Sequence, residues 1–301
     1  MDSAIRDRVR DVVIRDIAPM FRGDVSLARQ RQFFDDLGAR AELPAGLVAR
    51  RRELAGLPSE WLCNPGHRSD HALLHLHGGG FVLGSSCSHR ALVGRIALAS
   101  GIQAIVPEYR LAPEHRFPAA LDDVVAVYHA LLASGLEAHN IVLSGDSAGG
   151  NLVLGILLAL RDAGAALPAA AVLLSPFTDL TASGESLATR AAIDPWLDPR
   201  FIAPLGKLYA GEHDRGDPRI SPLFGDLRGL PPLLIQVGDH EIMLSDSTRL
   251  AERAQAAGVA VELEVWPELW HVFQMFAPTL PDASVAIANI GAFVRRQLRL
   301  D

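Results

Sequence analysis

A serine in a short glycine-rich stretch is the residue in this sequence best suited to nucleophilic chemistry. Residues 141–150 read IVLSGDSAGG, where an apolar run leads into Gly145, Ser147 and Gly149 and then into a helix-like segment. Glycines two before and two after a serine allow a sharp strand-to-helix turn that exposes the hydroxyl. A serine that only caps a helix is the alternative. The strand before and the helix after favour Ser147 as a nucleophile.

Backbone amides that could bind a developing negative charge follow an earlier apolar run. The run LLHLH ends at His77 and is followed by three glycines, so several N–H groups are free to point at an anion. We predict an oxyanion hole formed by the amides of Gly79, Gly80 and Ala148. A glycine turn without a ligand and a phosphate loop are the alternatives. A phosphate loop is disfavoured because no Gly-Lys-Ser/Thr sequence follows.

A histidine near the C-terminus is the candidate general base. In the strand–serine–helix arrangement the nucleophile is followed along the chain by an acid and then by a histidine. After the candidate acid loop at 238–246, His271 is the only histidine that remains. A lone loop histidine is often an ordinary surface residue, but this position favours His271 as the base.

Metal and cofactor chemistry find little support in the sequence. His75 and His77 alternate along one strand, but no clustered third ligand follows them, so we do not expect zinc. Cys63 and Cys87 follow neither a metal-binding spacing nor a dense disulfide pattern. The sequence therefore predicts catalysis with no metal and no cofactor.

Composition argues against several other classes of protein. The chain has 301 residues and a net charge of −7, and Lys207 is its only lysine, so nucleic-acid binding is not expected. The N-terminus lacks the apolar run of a signal peptide. The most apolar stretch, residues 152–160, is about half of the roughly 18 residues that a membrane span needs. We expect a cytoplasmic protein with no membrane span.

The elements that must position these residues alternate between strand-like and helix-like patterns, which predicts the α/β class. Predicted strands are 72–77, 103–107, 140–144, 169–174, 233–237 and 261–266, and predicted helices are 91–99, 118–133, 148–163, 247–257 and 285–298. Two segments depart from the alternation. Residues 1–55 read as helices with no strand signal, and residues 178–229 are rich in proline. One domain with two added segments is favoured over two independent domains.

Together these motifs resemble the bacterial hormone-sensitive lipase family of esterases. The resemblance rests on HGGGF at 77–81, EYRLAPE at 108–114 with HRFPAALDD after it, GDSAGG at 145–150, and H-x-F at 271–273. It implies an α/β-hydrolase core of eight mostly parallel strands over 56–301. It also implies a helical cap made from residues 1–55 and the insertion at 178–229, and hydrolysis of short to medium acyl esters. Homodimers that pair through an edge strand are a further implication.

The acid is the one catalytic position at which the sequence departs from the common family pattern. His240 stands where many members have aspartate, which leaves Asp239 and Glu241 as candidates. Glu241 lies three residues past Gly238, and its longer side chain can reach the imidazole from there. We predict Glu241 as the acid, with Asp239 as the alternative if Glu241 only caps the next helix.

Substrate contacts can be predicted less directly. Phe34 in the N-terminal segment and Trp196, Phe201 and Leu205 in the insertion are the candidate lining residues of a closed pocket that prefers short acyl chains. A hydrolase of lactones or acetylated metabolites would use the same machinery. A non-catalytic binding protein on the same fold is disfavoured, because the serine, the histidine and the glycine run are all present.

Overall fold

An eight-stranded sheet forms the centre of the molecule in a computed structural model that describes residues 3–21, 25–64 and 66–300. The strand order is β1-β2-β4-β3-β5-β6-β7-β8. The strands are β1 (Val48–Leu54), β2 (Leu57–Cys63), β3 (Arg68–Leu76), β4 (Ile102–Pro107), β5 (Ile141–Asp146), β6 (Ala170–Leu174), β7 (Leu233–Gly238) and β8 (Val261–Trp266). The α/β-hydrolase fold expected from the motifs is confirmed.

Strands β3 to β8 form one continuous parallel sheet. Strands β4 to β7 are buried along their whole length, as expected for a parallel sheet covered on both faces by helices. Each of the six strands predicted from the sequence is present, with β3 beginning four residues earlier than predicted. The register pairs Leu76 of β3 with Gly145 of β5, so both strands end at the same edge.

Strands β1 and β2 form an antiparallel hairpin that was not predicted from the sequence. The expectation that residues 1–55 contain no strand is therefore wrong. Leu54 pairs with Leu57, so the loop consists of Ala55 and Gly56, with φ of 54° and 78°. Positive φ at both loop positions is what a type I′ hairpin turn requires, and alanine is an unusual residue there. Most of β1 is exposed, so it lacks the apolar alternation that identifies a strand.

Helices cover both faces of the sheet. Those with described bounds are α1 (Ser3–Val12), α2 (Leu27–Arg40), α3 (Ser86–Ser100), α4 (Ala119–Ala133), α5 (Ala148–Asp162), α6 (Ser186–Thr189), α7 (Pro199–Ala210), α8 (Leu244–Ala256) and α9 (Pro281–Leu298). Apolar residues of α4, α5 and α8 share one core with the sheet, and those of α3 and α9 share another. Within residues 3–21, 25–64 and 66–300, no helix has the length and apolar character that crossing a membrane requires.

The two segments outside the alternation meet above the carboxyl edge of the sheet. Val9, Val13 and Phe34 of the N-terminal segment pack in one apolar cluster with Trp196 of the insertion. The same cluster contains Trp270, next to the predicted base. The N-terminal segment and the insertion therefore pack against each other and against the loop that carries His271.

Candidate active site

Ser147 lies at the sharp turn between β5 and α5. Its backbone has φ 51° and ψ −117°, a left-handed conformation that is strained for a residue with a Cβ. The flanking glycines are required by close backbone approach: a Cβ on Gly145 would lie 2.5 Å from the carbonyl carbon of Gly149. One on Gly149 would lie 1.9 Å from the Leu76 carbonyl oxygen. The Ser147 amide donates to the Leu174 carbonyl at 2.8 Å, which ties the turn to β6.

His271 and Glu241 form a buried pair. Nδ1 of His271 lies 2.9 Å from Oε2 of Glu241. The other carboxylate oxygen, Oε1, accepts the amide N–H of Gly238 at 3.2 Å. Glu241 has no exposed surface, and His271 is 5% exposed. With Nδ1 engaged by the carboxylate, Nε2 of the imidazole is left to exchange a proton with a neighbouring group.

Asp239 points away from this pair. Its Oδ1 accepts the amide N–H of Glu268 at 2.6 Å, in the turn that follows β8. Its backbone N–H donates to the Trp266 carbonyl at 3.0 Å. Asp239 therefore stabilises the loop that leads to His271, whereas Glu241 contacts the imidazole itself.

The surroundings of His271 favour its charged form. Burial lowers the pKa of the imidazole, but the hydrogen bond and the negative charge of Glu241 raise it, as do the charges of Asp194 and Asp146. The net result is a pKa above the usual value of 6.5. A histidine in such a place can accept a proton and hold it as an imidazolium during a reaction.

The glycine run after β3 forms a loop beside Ser147. Gly79 has φ 115° and Gly80 has φ 61°, both in the region that favours glycine. Within the described part of the chain, neither amide donates to a protein acceptor. Ala148 is the first residue of α5, where amide groups have no partner inside the helix. The three predicted oxyanion-hole amides thus lie around the turn that carries Ser147.

Asp146 links this glycine loop to the nucleophile turn. Its Oδ1 accepts the N–H of Gly78 at 3.0 Å and lies 3.1 Å from Nε2 of His75. Its Oδ2 lies 3.3 Å from Nε2 of His89. Burial opposes ionisation of Asp146, but the charge and hydrogen bond of His89 and those of His75 hold its pKa below the usual range. Asp146 therefore joins the glycine loop and two buried histidines to the turn that carries Ser147.

The side chain of His77 packs between the glycine loop and Tyr109. Its Nδ1 lies 2.9 Å from the Gly78 carbonyl, and its ring stacks on Tyr109 with ring centroids 4.2 Å apart. The Tyr109 hydroxyl donates to the His77 carbonyl at 2.6 Å. Burial lowers the pKa of His77 to about 3, so this imidazole is neutral at ordinary pH. Among the described residues, no three His, Cys, Asp or Glu side chains are grouped so as to hold a metal ion.

A cavity of about 450 Å³ opens above Ser147. Gly79, Gly80, Ser147 and His271 form its base. Its walls come from the N-terminal segment, the insertion and neighbouring loops, and they are mostly apolar: Phe21, Phe34, Val82, Leu83, Phe177, Trp196, Leu197, Phe201, Ile202, Pro204, Leu205, Leu208, Met243, Val272 and Met275. Each of the four lining residues predicted from the sequence contributes to this cavity.

Several residues around the site have roles that the sequence did not predict. His89 lies just before the predicted helix 91–99, Tyr109 lies in the EYRLAPE motif without an assigned role, and Asp194 lies in the proline-rich insertion. Asp194 belongs to no functional motif, and an Asp followed by Pro indicates only the start of a turn. Their contacts with the site depend on tertiary structure, which periodicity does not report.

Comparison with known proteins agrees with this geometry. Residues 73–275 match the family described as the alpha/beta hydrolase fold. An acetyl-hydrolase of Streptomyces hygroscopicus is 41% identical over 271 residues, which cover 90% of this chain and 88% of that protein. An esterase of Acinetobacter venetianus is 43% identical over 222 residues, which cover 73% of each protein.

A crystal structure of an esterase from the bacterial hormone-sensitive lipase family superimposes with a TM-score of 0.95 at 43% sequence identity. The match covers 99% of each chain. Both the family match and the identities extend over most of the sequence, including every motif quoted above. The chain is therefore a carboxylesterase that belongs to the bacterial hormone-sensitive lipase family of α/β-hydrolases.

Proposed function

We propose that this ester hydrolase works through an acyl-enzyme formed on Ser147, with His271 as general base and Glu241 as the acid. The observation that carries the proposal is the 2.9 Å contact between His271 Nδ1 and Glu241 Oε2. Both Ser147 and His271 line the cavity. The alternative acid, Asp239, is hydrogen-bonded to the turn after β8.

In this mechanism Glu241 holds the proton of His271 on Nδ1, so Nε2 accepts the proton of Ser147 as its oxygen attacks the ester carbonyl. The imidazolium then gives this proton to the leaving alcohol. Water then attacks the acyl carbon while its proton passes to the same nitrogen, and the imidazolium returns this proton to the Ser147 oxygen as the acid leaves. The interactions that raise the pKa of His271 also stabilise its imidazolium form between these proton transfers.

The negative oxygen of each tetrahedral intermediate is bound by the amides of Gly79, Gly80 and Ala148. The two glycine amides donate to no other group in the described residues, which leaves them available for this role. The amide of Ala148 adds the partial positive charge of the N-terminus of α5. Donors fixed in place before the reaction stabilise the developing charge without reorganisation.

The acyl group occupies the cavity, and the helical segment that precedes β1 acts as its cap together with residues 178–229. Small-molecule sites range over about 300–1,000 Å³, so a cavity of about 450 Å³ suits a short or medium acyl chain better than a long one. Its walls offer apolar contacts from both cap segments. The name of the Streptomyces relative, an acetyl-hydrolase, points to small acyl groups as well.

The second candidate is a hydrolase of acetylated metabolites or lactones, and the name of this relative favours the acetylated metabolites. The two candidates share one set of catalytic groups, so only substrates separate them. Aryl esters with acyl chains from two to sixteen carbons, assayed beside lactones and acetylated alcohols, give the comparison. We expect the highest kcat/KM on short aryl esters. A rate that rises steadily to sixteen carbons, or that requires an oil–water interface, contradicts the closed cavity.

Ser147→Ala tests the catalytic assignment. Loss of one triad member leaves only transition-state binding, so kcat should fall by about 10⁴-fold or more while the protein stays folded. A matched control is Ser183→Ala, whose hydroxyl binds Asp179 in the insertion. Substantial turnover by Ser147→Ala contradicts the proposal.

The family resemblance also implies a homodimer, and the sheet offers two edges for it, β1 and β8. Val48 in β1 and Val265 in β8 are each 44% exposed, so either edge presents apolar surface. Sedimentation equilibrium of the wild type, compared with Val265→Lys and Val48→Lys, identifies which edge pairs.

A further inference from the structure

The backbone of the residue after the proposed acid is held by side chains of the insertion. The N–H of Ile242 donates to Oδ2 of Asp194 at 2.9 Å. The C=O of Ile242 accepts the hydroxyl of Ser186 at 2.6 Å. Ser186 also accepts the amide N–H of Ser245 at 2.9 Å. The loop that presents Glu241 is therefore fixed from the insertion as well as from its own strand.

The other oxygen of Asp194 holds the cavity wall. Its Oδ1 accepts the amide N–H groups of Trp196 and Leu197, each at 2.9 Å. Both residues line the cavity above Ser147. The Trp196 ring meets the imidazole of His271 edge to face, with ring centroids 6.1 Å apart. One buried carboxylate thus contacts both the wall that a substrate touches and the loop that carries the acid.

We propose that Asp194 is a positioning residue that couples the cavity wall to the Glu241 loop and places a second negative charge near His271. This inference rests on the proposed pairing of Glu241 with His271. A substrate that packs against Trp196 contacts a segment whose backbone amides are hydrogen-bonded to Asp194. The same carboxylate accepts the N–H of Ile242, the residue after Glu241. Asp194 thereby keeps the imidazole of His271 in a fixed position relative to the substrate, and its negative charge favours the charged form of the imidazole.

The electrostatics agree with this role. Burial raises the pKa of Asp194 to about 6, although the amides of Ile242, Leu197 and Trp196 and the charge of His271 lower it. Asp194 is therefore ionised at pH 7. Among the described residues, the negative charges of Glu241, Asp194 and Asp146 act on His271, and each of them raises its pKa. Removing the Asp194 charge must then lower the pKa of His271.

The test compares three variants of the full chain with the wild type in aryl acetate hydrolysis between pH 5 and 9. Asp194→Asn keeps the size of the side chain and removes its charge. Ser186→Ala removes the other contact with Ile242 and changes no charge. Asp239→Asn removes a carboxylate of the same loop that does not contact His271. The midpoint of the acid limb of kcat/KM reports the pKa of the free-enzyme base.

For Asp194→Asn we expect kcat to fall roughly tenfold, the loss expected from misplaced catalytic groups, and the acid-limb midpoint to move down by about half a pH unit. Ser186→Ala should lower kcat with the midpoint unchanged, and Asp239→Asn should keep kcat within about threefold of the wild type with the midpoint unchanged. Asp194→Glu, which restores the charge, should return the midpoint toward that of the wild type. If Asp194→Asn does not fold, Asp194→Ser replaces it, because a serine hydroxyl can still accept from the same two amides.

An unchanged acid-limb midpoint in folded Asp194→Asn or Asp194→Ser overturns the proposal. So does a shift of equal size in Ser186→Ala, because the effect would then come from loop geometry and not from charge. Failure of the proposed triad looks different: Asp239→Asn would lose most of the rate, whatever Asp194→Asn does.

Discussion

Replacing Glu241 with glutamine changes one atom of the carboxyl group that lies 2.9 Å from His271 Nδ1. The surroundings decide how the amide is oriented. The N–H of Gly238 donates to Oε1, so the amide oxygen of glutamine is held on that side. Its NH₂ group then faces His271 Nδ1, and both cannot be donors. The imidazole must adopt the other tautomer, with its proton on Nε2, where it can no longer accept the proton of Ser147.

The wrong tautomer of a triad histidine lowers kcat by about 10⁴-fold, which corresponds to about 5 kcal/mol of transition-state stabilisation. We expect Glu241→Gln to lose about 10³- to 10⁴-fold in kcat, with KM changed little. The matched control is Asp239→Asn, whose amide oxygen can still accept the N–H of Glu268 and which should stay within about threefold of the wild type. Steady-state kinetics on an aryl acetate, with circular dichroism to verify folding, give the answer. If Asp239→Asn loses most of the rate while Glu241→Gln retains it, the acid is Asp239 and the reasoning is refuted.

Three further predictions follow from contacts and charges already described. Because the pKa of His271 is raised and the base must be neutral to act, kcat/KM should rise with pH through a midpoint above 6.5; a midpoint below that value contradicts the electrostatic argument. A Cβ on Gly149 would meet the Leu76 carbonyl at 1.9 Å, so Gly149→Ala should cost at least about 2 kcal/mol in urea unfolding. Gly155→Ala in the same helix should change stability by less than about 1 kcal/mol. Leu205→Ala should shift the preference toward longer acyl chains, because a Leu205 methyl group lies beside Gly80 at the base of the cavity; an unchanged acyl-length profile argues against this.

Much of the sheet can be predicted from the sequence because its strands are buried on both faces. Strands such as β5 and β7 are short apolar runs that end at glycine-containing turns, which is a strong local signal. The hairpin of β1 and β2 gives no such signal. Three consecutive arginines occupy the middle of β1, and the loop lacks the Asn-Gly or Asp-Gly pair that usually identifies a two-residue turn.

The residues of the active site also divide into those with a local sequence signal and those without one. Ser147 and the glycine loop are local motifs whose backbone geometry is imposed by neighbouring residues, so their placement can be predicted from the sequence. The contact between His271 and Glu241 joins two loops 30 residues apart, and only a comparison of chain order and side-chain length pointed to it. His89 and Asp194 could not be identified at all. Their importance comes from which buried groups they face, and a single sequence carries no record of that.

Covalent labelling tests the central claim, that the ester is cleaved through an acyl-enzyme on Ser147. The measurement is peptide mapping by mass spectrometry after the enzyme reacts with an aryl organophosphonate, with activity followed in parallel. We predict one phosphonyl group per chain, on the peptide that contains Ser147, with inactivation in proportion to labelling and no adduct on Ser147→Ala. Labelling at another residue, or full activity after Ser147 has been completely modified, would contradict the account.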